Sequence, residues 1–188
     1  MEKIILASQS PRRKQLLEWA EIPFEIRVKE TAETYPAGLP IEEVPVYIAR
    51  EKARIIQEEV RKDQVVLAAD TIVVLNNEII GKPRDRENAL HILSQLSGQT
   101  HQVITGVVIK RGEAEWSFAD STRVQFHPIS KAEMEYYVDR YKPYDKAGAY
   151  AIQEWIGVIG IHSIHGDFYN VMGLPVSRVI QTLRNQVF

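Results

Sequence analysis

The sequence predicts an α/β protein built on a mixed, twisted sheet flanked by helices, and three observations predict it. Short runs of aliphatic and β-branched residues alternate along the chain with segments of helical periodicity. The junctions between them carry caps and turns: Ser10-Pro11, Asp85, the Ser130/Glu133 pair, and Asn76-Asn77 between two apolar runs. No repeat, low-complexity tract or linker interrupts the pattern, so residues 1–188 read as one domain.

The elements follow in order. Lys3–Ala7 reads as a short buried strand. Pro11–Ala20 reads as a helix, with Ser10 at its N-cap and proline at the first helical position. Phe24–Val28 is a second strand, followed by a loop holding Glu30, Glu33, Pro36, Gly38 and Pro40. A long helix covers about Val44–Val60. Gln64–Leu75 is nearly all apolar, turns at Asn76-Asn77, and returns through Glu78–Ile80 as a hairpin. Asp85 caps a helix over Arg86–Leu96 that Gly98 ends. Gln102–Lys110 and Glu115–Phe126 form a hairpin around Arg111-Gly112. Ser130 and Glu133 make a capping box for a helix running to Tyr141, which stops before Pro143. Ile156–Ile164 and Phe168–Met172 read as a last hairpin turning at His165-Gly166-Asp167, and a helix over about Val176–Arg184 closes the chain.

Composition narrows the function. With 45% hydrophobic and 26% charged residues the chain can bury an ordinary core. A formal net charge of -2 argues against a nucleic-acid polymer as partner, since such binders carry a basic excess. The absence of cysteine excludes disulfides, thiolate catalysis and Cys-based zinc sites. The apolar run Ile4–Ala7 is too short for a signal-peptide core, and no stretch approaches the ~20 apolar residues of a membrane span. A cytoplasmic protein with no membrane association is expected.

Three positions stand out chemically. Ser8, Arg12 and Arg13 lie at a strand-to-helix junction, where free N–H groups carry partial positive charge. Basic residues there oppose the helix dipole unless an anion such as phosphate sits at the helix start, and arginine grips phosphate in bidentate fashion. A solvated basic turn is the plainer reading of Arg12-Arg13-Lys14 taken alone. Lys52 falls within the stripe of Ile48, Ile55 and Ile56, opposite Arg50, Arg54, Gln57 and Glu58. Its ammonium either snorkels or meets an anionic partner. Asp70 interrupts the apolar run Val65–Leu75 with Thr71 beside it, at what reads as the end of a buried strand. An ionised carboxylate there needs pairing, hydrogen bonds or a metal. The alternative is an aspartate that caps a turn.

A hairpin turning at Asn76-Asn77 carries Gly81-Lys82-Pro83 back toward Asp70, which suits phosphate chemistry and an ordinary surface turn about equally. Together these residues describe a polyphosphate site with a divalent cation, Mg²⁺ or Mn²⁺, to which Glu30 or Glu33 adds an oxygen ligand. His91, His101, His127, His162 and His165 show no metal spacing and receive no role.

Five blocks resemble the Maf family in the family's order: Leu6–Arg13; Ala69-Asp70-Thr71 with Gly81-Lys82-Pro83; Leu96–His101; Asp145–Gln153; and Val171–Pro175. The resemblance spans nearly the whole chain. It implies a two-lobed α/β fold with a central cleft, shared with ITPase-like enzymes and often dimeric. The implied reaction is metal-assisted hydrolysis of nucleoside triphosphates to monophosphate and pyrophosphate. It implies Asp70 as proton acceptor for the attacking water and as a metal ligand, with Glu33 on the metal side. Ser8, Arg13, Lys52 and Lys82 become phosphate contacts. Arg12, Thr71 and Gln153 match the set of the branch acting on dTTP and UTP, whereas the methyl-GTP branch carries Trp and Glu at the outer two positions. A glutamine amide offers both donor and acceptor to a uracil edge, while glutamate only accepts. Ala151 and Glu154 depart from the glycines common in the family. Two other readings compete: a non-catalytic nucleotide-binding regulator of cell division, and a phosphatase that removes the terminal phosphate.

Overall fold

A computed structural model describes residues 2–188. Its elements are β1 (Ile4–Leu6), α1 (Pro11–Trp19), β2 (Phe24–Ile26), α2 (Glu43–Gln57), β3 (Val65–Leu75), β4 (Glu78–Ile80), α3 (Arg86–Leu96), β5 (Thr100–Arg111), β6 (Ala114–Phe126), α4 (Lys131–Tyr141), α5 (Trp155–Gly160), β7 (Ile161–His165), α6 (Phe168–Met172) and α7 (Val176–Thr182). The strands hydrogen-bond in the order β2-β1-β3-β5-β6-β7, with β4 paired to β3. Parallel β1–β2 and β1–β3 pairs combine with antiparallel β3–β4 and β6–β7 pairs, so the sheet is mixed and helices alternate with strands, as the sequence predicts.

The chain divides into two compact units. The first comprises residues up to Asp70, Thr105–Asp120 and Gly173–Phe188. Its core packs Ile5 and Ala7 of the β1 segment and Val66 and Ala68 of β3 against Val46, Ala49, Ala53 and Ile56 of α2. These α2 residues recur at helical spacing, and their burial withdraws about 2 kcal/mol of apolar surface per large side chain from water. Gly106 on β5 lets the start of α2 lie directly on the sheet. A Cβ there would come within 2.2 Å of Val46 N and 2.3 Å of the Pro45 carbonyl carbon.

The second unit comprises Thr71–Ile104 and Ser121–Met172. Its helices start as their sequences dictate. Asp85 Oδ1 accepts from Asn88 N at 2.8 Å, and Ser130 with Glu133 completes a capping box at the head of α4. Arg86 forks onto Asp139 at 2.6 and 2.8 Å, tying α3 to α4. Asn76 and Asn77 both take positive φ, 51° and 64°, so the β3–β4 hairpin turns through the residue pair that tolerates this conformation.

Two expectations are corrected. The last hairpin does not form: Trp155–Gly160 is helical, β7 is confined to Ile161–His165 and pairs with β6, and Phe168–Met172 is the short helix α6. An apolar run such as Ile156-Gly157-Val158-Ile159-Gly160-Ile161 has no periodicity that separates a buried strand from a helical turn. The Glu154 carbonyl decides it by accepting from Gly157 N and Val158 N at 2.9 and 3.2 Å. Asp70, expected at a strand end, is the sixth residue of the eleven-residue β3. Strand β3 changes partners along its length, pairing with β1 at Val66 and Leu67 and with β4 from Val73 onward. Asp70 falls in the gap between these two pairings.

Candidate active site

Within the first unit, Ser8, Arg13, Lys52, Glu33 and Asp70 form one charged cluster, and each is placed by a local rule. Ser8 follows β1 and is buried, its Oγ accepting from Ser10 N at 3.2 Å and from Arg13 Nη1 at 3.1 Å. Ser10 caps α1 by accepting from Arg13 N. That cap fixes the first helical turn and directs Arg13 inward, where its Nε donates to the Gly173 carbonyl at 2.7 Å. Arg13 is only 9% exposed. Burial pulls its pKa down to about 10; Arg12 adds to the fall, while the negative charges of Asp70 and Glu33 oppose it. The guanidinium therefore stays charged at neutral pH. Arg12 beside it is half-buried.

Lys52 resolves the alternatives left by its position on the apolar stripe. Its side chain is 16% exposed, and Nζ donates to Asp70 Oδ1 and to Glu33 Oε1, each at 2.8 Å. The ammonium is neither snorkelling nor solvated; it is clamped between two carboxylates. Asp70 is correspondingly a paired carboxylate, 13% exposed, and caps no turn. Glu33, not Glu30, reaches this centre from the loop that follows β2.

The second unit holds Thr71, Lys82 and Gln153. Thr71 follows Asp70 on β3 and is half-buried. The β3–β4 register pairs Val73 with Ile80, the last residue of β4, and Lys82 follows two residues beyond it. Gly148 N donates to the Gly81 carbonyl at 3.2 Å, joining the Lys82 segment to the turn that leads to Gln153. Gln153 itself is exposed, just ahead of α5.

One contributor was not singled out from sequence. The Gly173 carbonyl anchors Arg13, and the signal for it is a glycine forced to a φ of 117° directly after α6. His101 is 1% exposed, with Nε2 2.7 Å from the Tyr150 hydroxyl and its ring edge-on to Phe126 and Tyr150. Its Nδ1 has no hydrogen-bond partner among the described residues, and burial lowers its pKa to about 4. It is a neutral core residue.

The first cluster has the donor chemistry for a hard divalent cation, because two carboxylates converge within reach of one ammonium. Among the described residues no three His, Asp or Glu side chains group closely enough to hold a metal by themselves.

Fold and site together define an α/β protein with an arginine-bearing helix start beside a lysine–carboxylate centre. Comparison of the sequence makes the class specific. The Maf-like protein family matches residues 3–186, and the chain belongs to that family. The dTTP/UTP pyrophosphatase of Cytophaga hutchinsonii is 52% identical over 180 residues, covering 96% of this chain and 82% of the relative. That of Porphyromonas gingivalis is 48% identical over 186 residues, covering 97% and 94%. Among solved structures, the dITP/XTP pyrophosphatase of Mycobacterium abscessus aligns with a TM-score of 0.40 at 16% identity, over 66% of this chain and 73% of that one. The Staphylococcus aureus Ham1 protein aligns with a TM-score of 0.42 at 15% identity, over 66% and 72%.

Proposed function

We propose that this chain is a nucleoside triphosphate pyrophosphatase that hydrolyses dTTP, UTP and related pyrimidine nucleotides to the monophosphate and pyrophosphate. The observation that carries the reading is the clamp of Lys52 between Asp70 and Glu33, within the electrostatic reach of Arg13. Near-full-length relatives named dTTP/UTP pyrophosphatases support it. A regulator that only senses nucleotide has no need to hold a half-buried carboxylate in such a centre.

In the reaction, water attacks the α-phosphorus, the bond from that phosphorus to the bridging oxygen breaks, and pyrophosphate leaves with that oxygen. Asp70 accepts the proton of the attacking water, with Lys52 holding the carboxylate in place. Ser8, Arg13, Lys52 and Lys82 contact phosphate oxygens, and the charges of the arginine and the two lysines offset the negative charge that accumulates in the transition state. Thr71 and Gln153, with Arg12, select the base. Asp70 and Glu33 would hold Mg²⁺ or Mn²⁺, which would supply further neutralisation of phosphate charge. We read residues 1–188 as a single catalytic domain acting as a cytoplasmic enzyme. No helix among the described residues is long and apolar enough to cross a membrane. A homodimer is the assembly we propose.

The test is incubation with dTTP or UTP and Mg²⁺ or Mn²⁺, followed by product analysis. Monophosphate and pyrophosphate in equal amounts are expected. Orthophosphate with the diphosphonucleoside overturns the reading in favour of a terminal phosphatase, and no turnover leaves the nucleotide-binding regulator.

A further inference from the structure

The turn that presents Gln153 is held by a set of side chains that the phosphate chemistry does not use. Tyr137 on α4 is fully buried; its hydroxyl accepts from Ala151 N at 3.2 Å and donates to Glu154 Oε2. Lys146 Nζ approaches the other carboxylate oxygen of Glu154 to 3.6 Å, with the lysine side chain only 12% exposed. The backbone closes the same turn, Glu154 N donating to the Ala151 carbonyl at 3.1 Å. Gly157 packs so tightly beneath it that a Cβ would lie 1.8 Å from the Ile152 carbonyl oxygen. The residues before and after Gln153 are thus fixed, while Gln153 itself is exposed.

This arrangement bears on base selection. A glutamine on a mobile loop can rotate its amide and shift its Cα, and so offer a donor or an acceptor to either uracil or cytosine. Discrimination requires that the loop be held before the base arrives, because ordering it on binding costs affinity and loosens the geometry. We infer that Tyr137, Glu154 and Lys146 are positioning residues that set pyrimidine selection by fixing the turn around Gln153. The inference rests on the reading of Gln153 as a base contact.

The experiment compares kcat and KM for UTP and CTP, with Tm, in the wild type and in Gln153→Ala, Glu154→Ala, Glu154→Gln and Tyr137→Phe. Glu154→Ala and Tyr137→Phe are expected to raise KM for UTP about tenfold, with kcat nearly unchanged and the UTP:CTP ratio of kcat/KM reduced. Glu154→Gln, which still accepts from the Tyr137 hydroxyl, should restore part of the ratio. If Gln153→Ala collapses the ratio while Glu154→Ala and Tyr137→Phe keep it, the network is only a staple and the inference falls. If Gln153→Ala leaves the ratio intact, the base contact itself is wrong and the inference falls with it. Should Tyr137→Phe unfold the protein, Glu154→Ala still decides, because that side chain is half-buried and its loss leaves no core cavity.

Discussion

Lys52 Nζ and Asp70 Oδ1 lie 2.8 Å apart, on side chains only 16% and 13% exposed. The pair comes from two different elements of one unit, the inner face of α2 and the middle of β3. Asp70 lies between the residues of β3 that pair with β1 and those that pair with β4, and its carboxylate accepts from the Lys52 ammonium there.

Asp70→Asn tests the proton acceptor. The amide keeps the shape and one acceptor oxygen but has far lower basicity. We expect kcat to fall about 10²–10⁴-fold, the range for losing a general base. Tm should move by only a few degrees, because Lys52 retains Glu33. Near-normal kcat in steady-state assays of pyrophosphate release would remove Asp70 from the mechanism.

Comparing Glu33 with Glu30 tests the proposed metal-side carboxylate. Only Glu33 reaches Lys52, at 2.8 Å, and Glu30 is exposed. Titrating Mn²⁺ into the assay, Glu33→Gln should raise the half-saturating metal concentration about tenfold, the lower end of what support of a metal site contributes. Glu30→Gln should behave as wild type. EDTA should abolish turnover in all three proteins. Equal metal curves for the two variants would take Glu33 out of the metal site.

Gln153→Glu probes the base. The substitution replaces an amide by a group that only accepts, so a uracil edge loses a donor. Because Gln153 is exposed, stability should be unaffected, and kcat/KM for UTP should fall about 10–100-fold, the scale of one lost hydrogen bond in a recognition site. Unchanged UTP turnover would leave base choice to other residues.

The charged cluster around Asp70 was more legible in the sequence than parts of the fold. A carboxylate in an apolar strand, a lysine on an apolar stripe and arginines at a helix start each violate a local rule, and the three violations meet at Asp70, which pairs with Lys52 and acts electrostatically on Arg13. The Asn76-Asn77 hairpin and the caps at Asp85 and Ser130 followed from short-range chemistry that tertiary context did not override. The segment 156–172 was not legible. Its glycines and isoleucines suit a buried helix turn and a buried strand alike, and the hydrogen bonds to the Glu154 carbonyl that settle it leave no trace in composition. Nor does sequence tell that Glu33, rather than Glu30 three residues away, completes the lysine clamp, since both sit in a loop without periodicity.

His101 gives a prediction independent of catalysis. It is 1% exposed and burial holds its pKa at about 4, against an ordinary value of 6.5. A folded-state pKa below the unfolded one means that the unfolded chain takes up a proton first as pH falls. The stability belonging to neutral His101 is therefore complete above about pH 6.5, is lost progressively as pH drops toward 4, and changes no further below that. Between pH 7.5 and pH 5 the loss from this one group is about 2 kcal/mol. His101→Gln removes the titrating ring, so the stability gap between wild type and variant in urea unfolding should shrink by about that amount over the same interval. Carboxylates common to both proteins cancel in the difference. A gap that stays constant between pH 7.5 and pH 5 would mean that the ring is solvated or already charged in the folded protein, contrary to its packing against Phe126 and Tyr150.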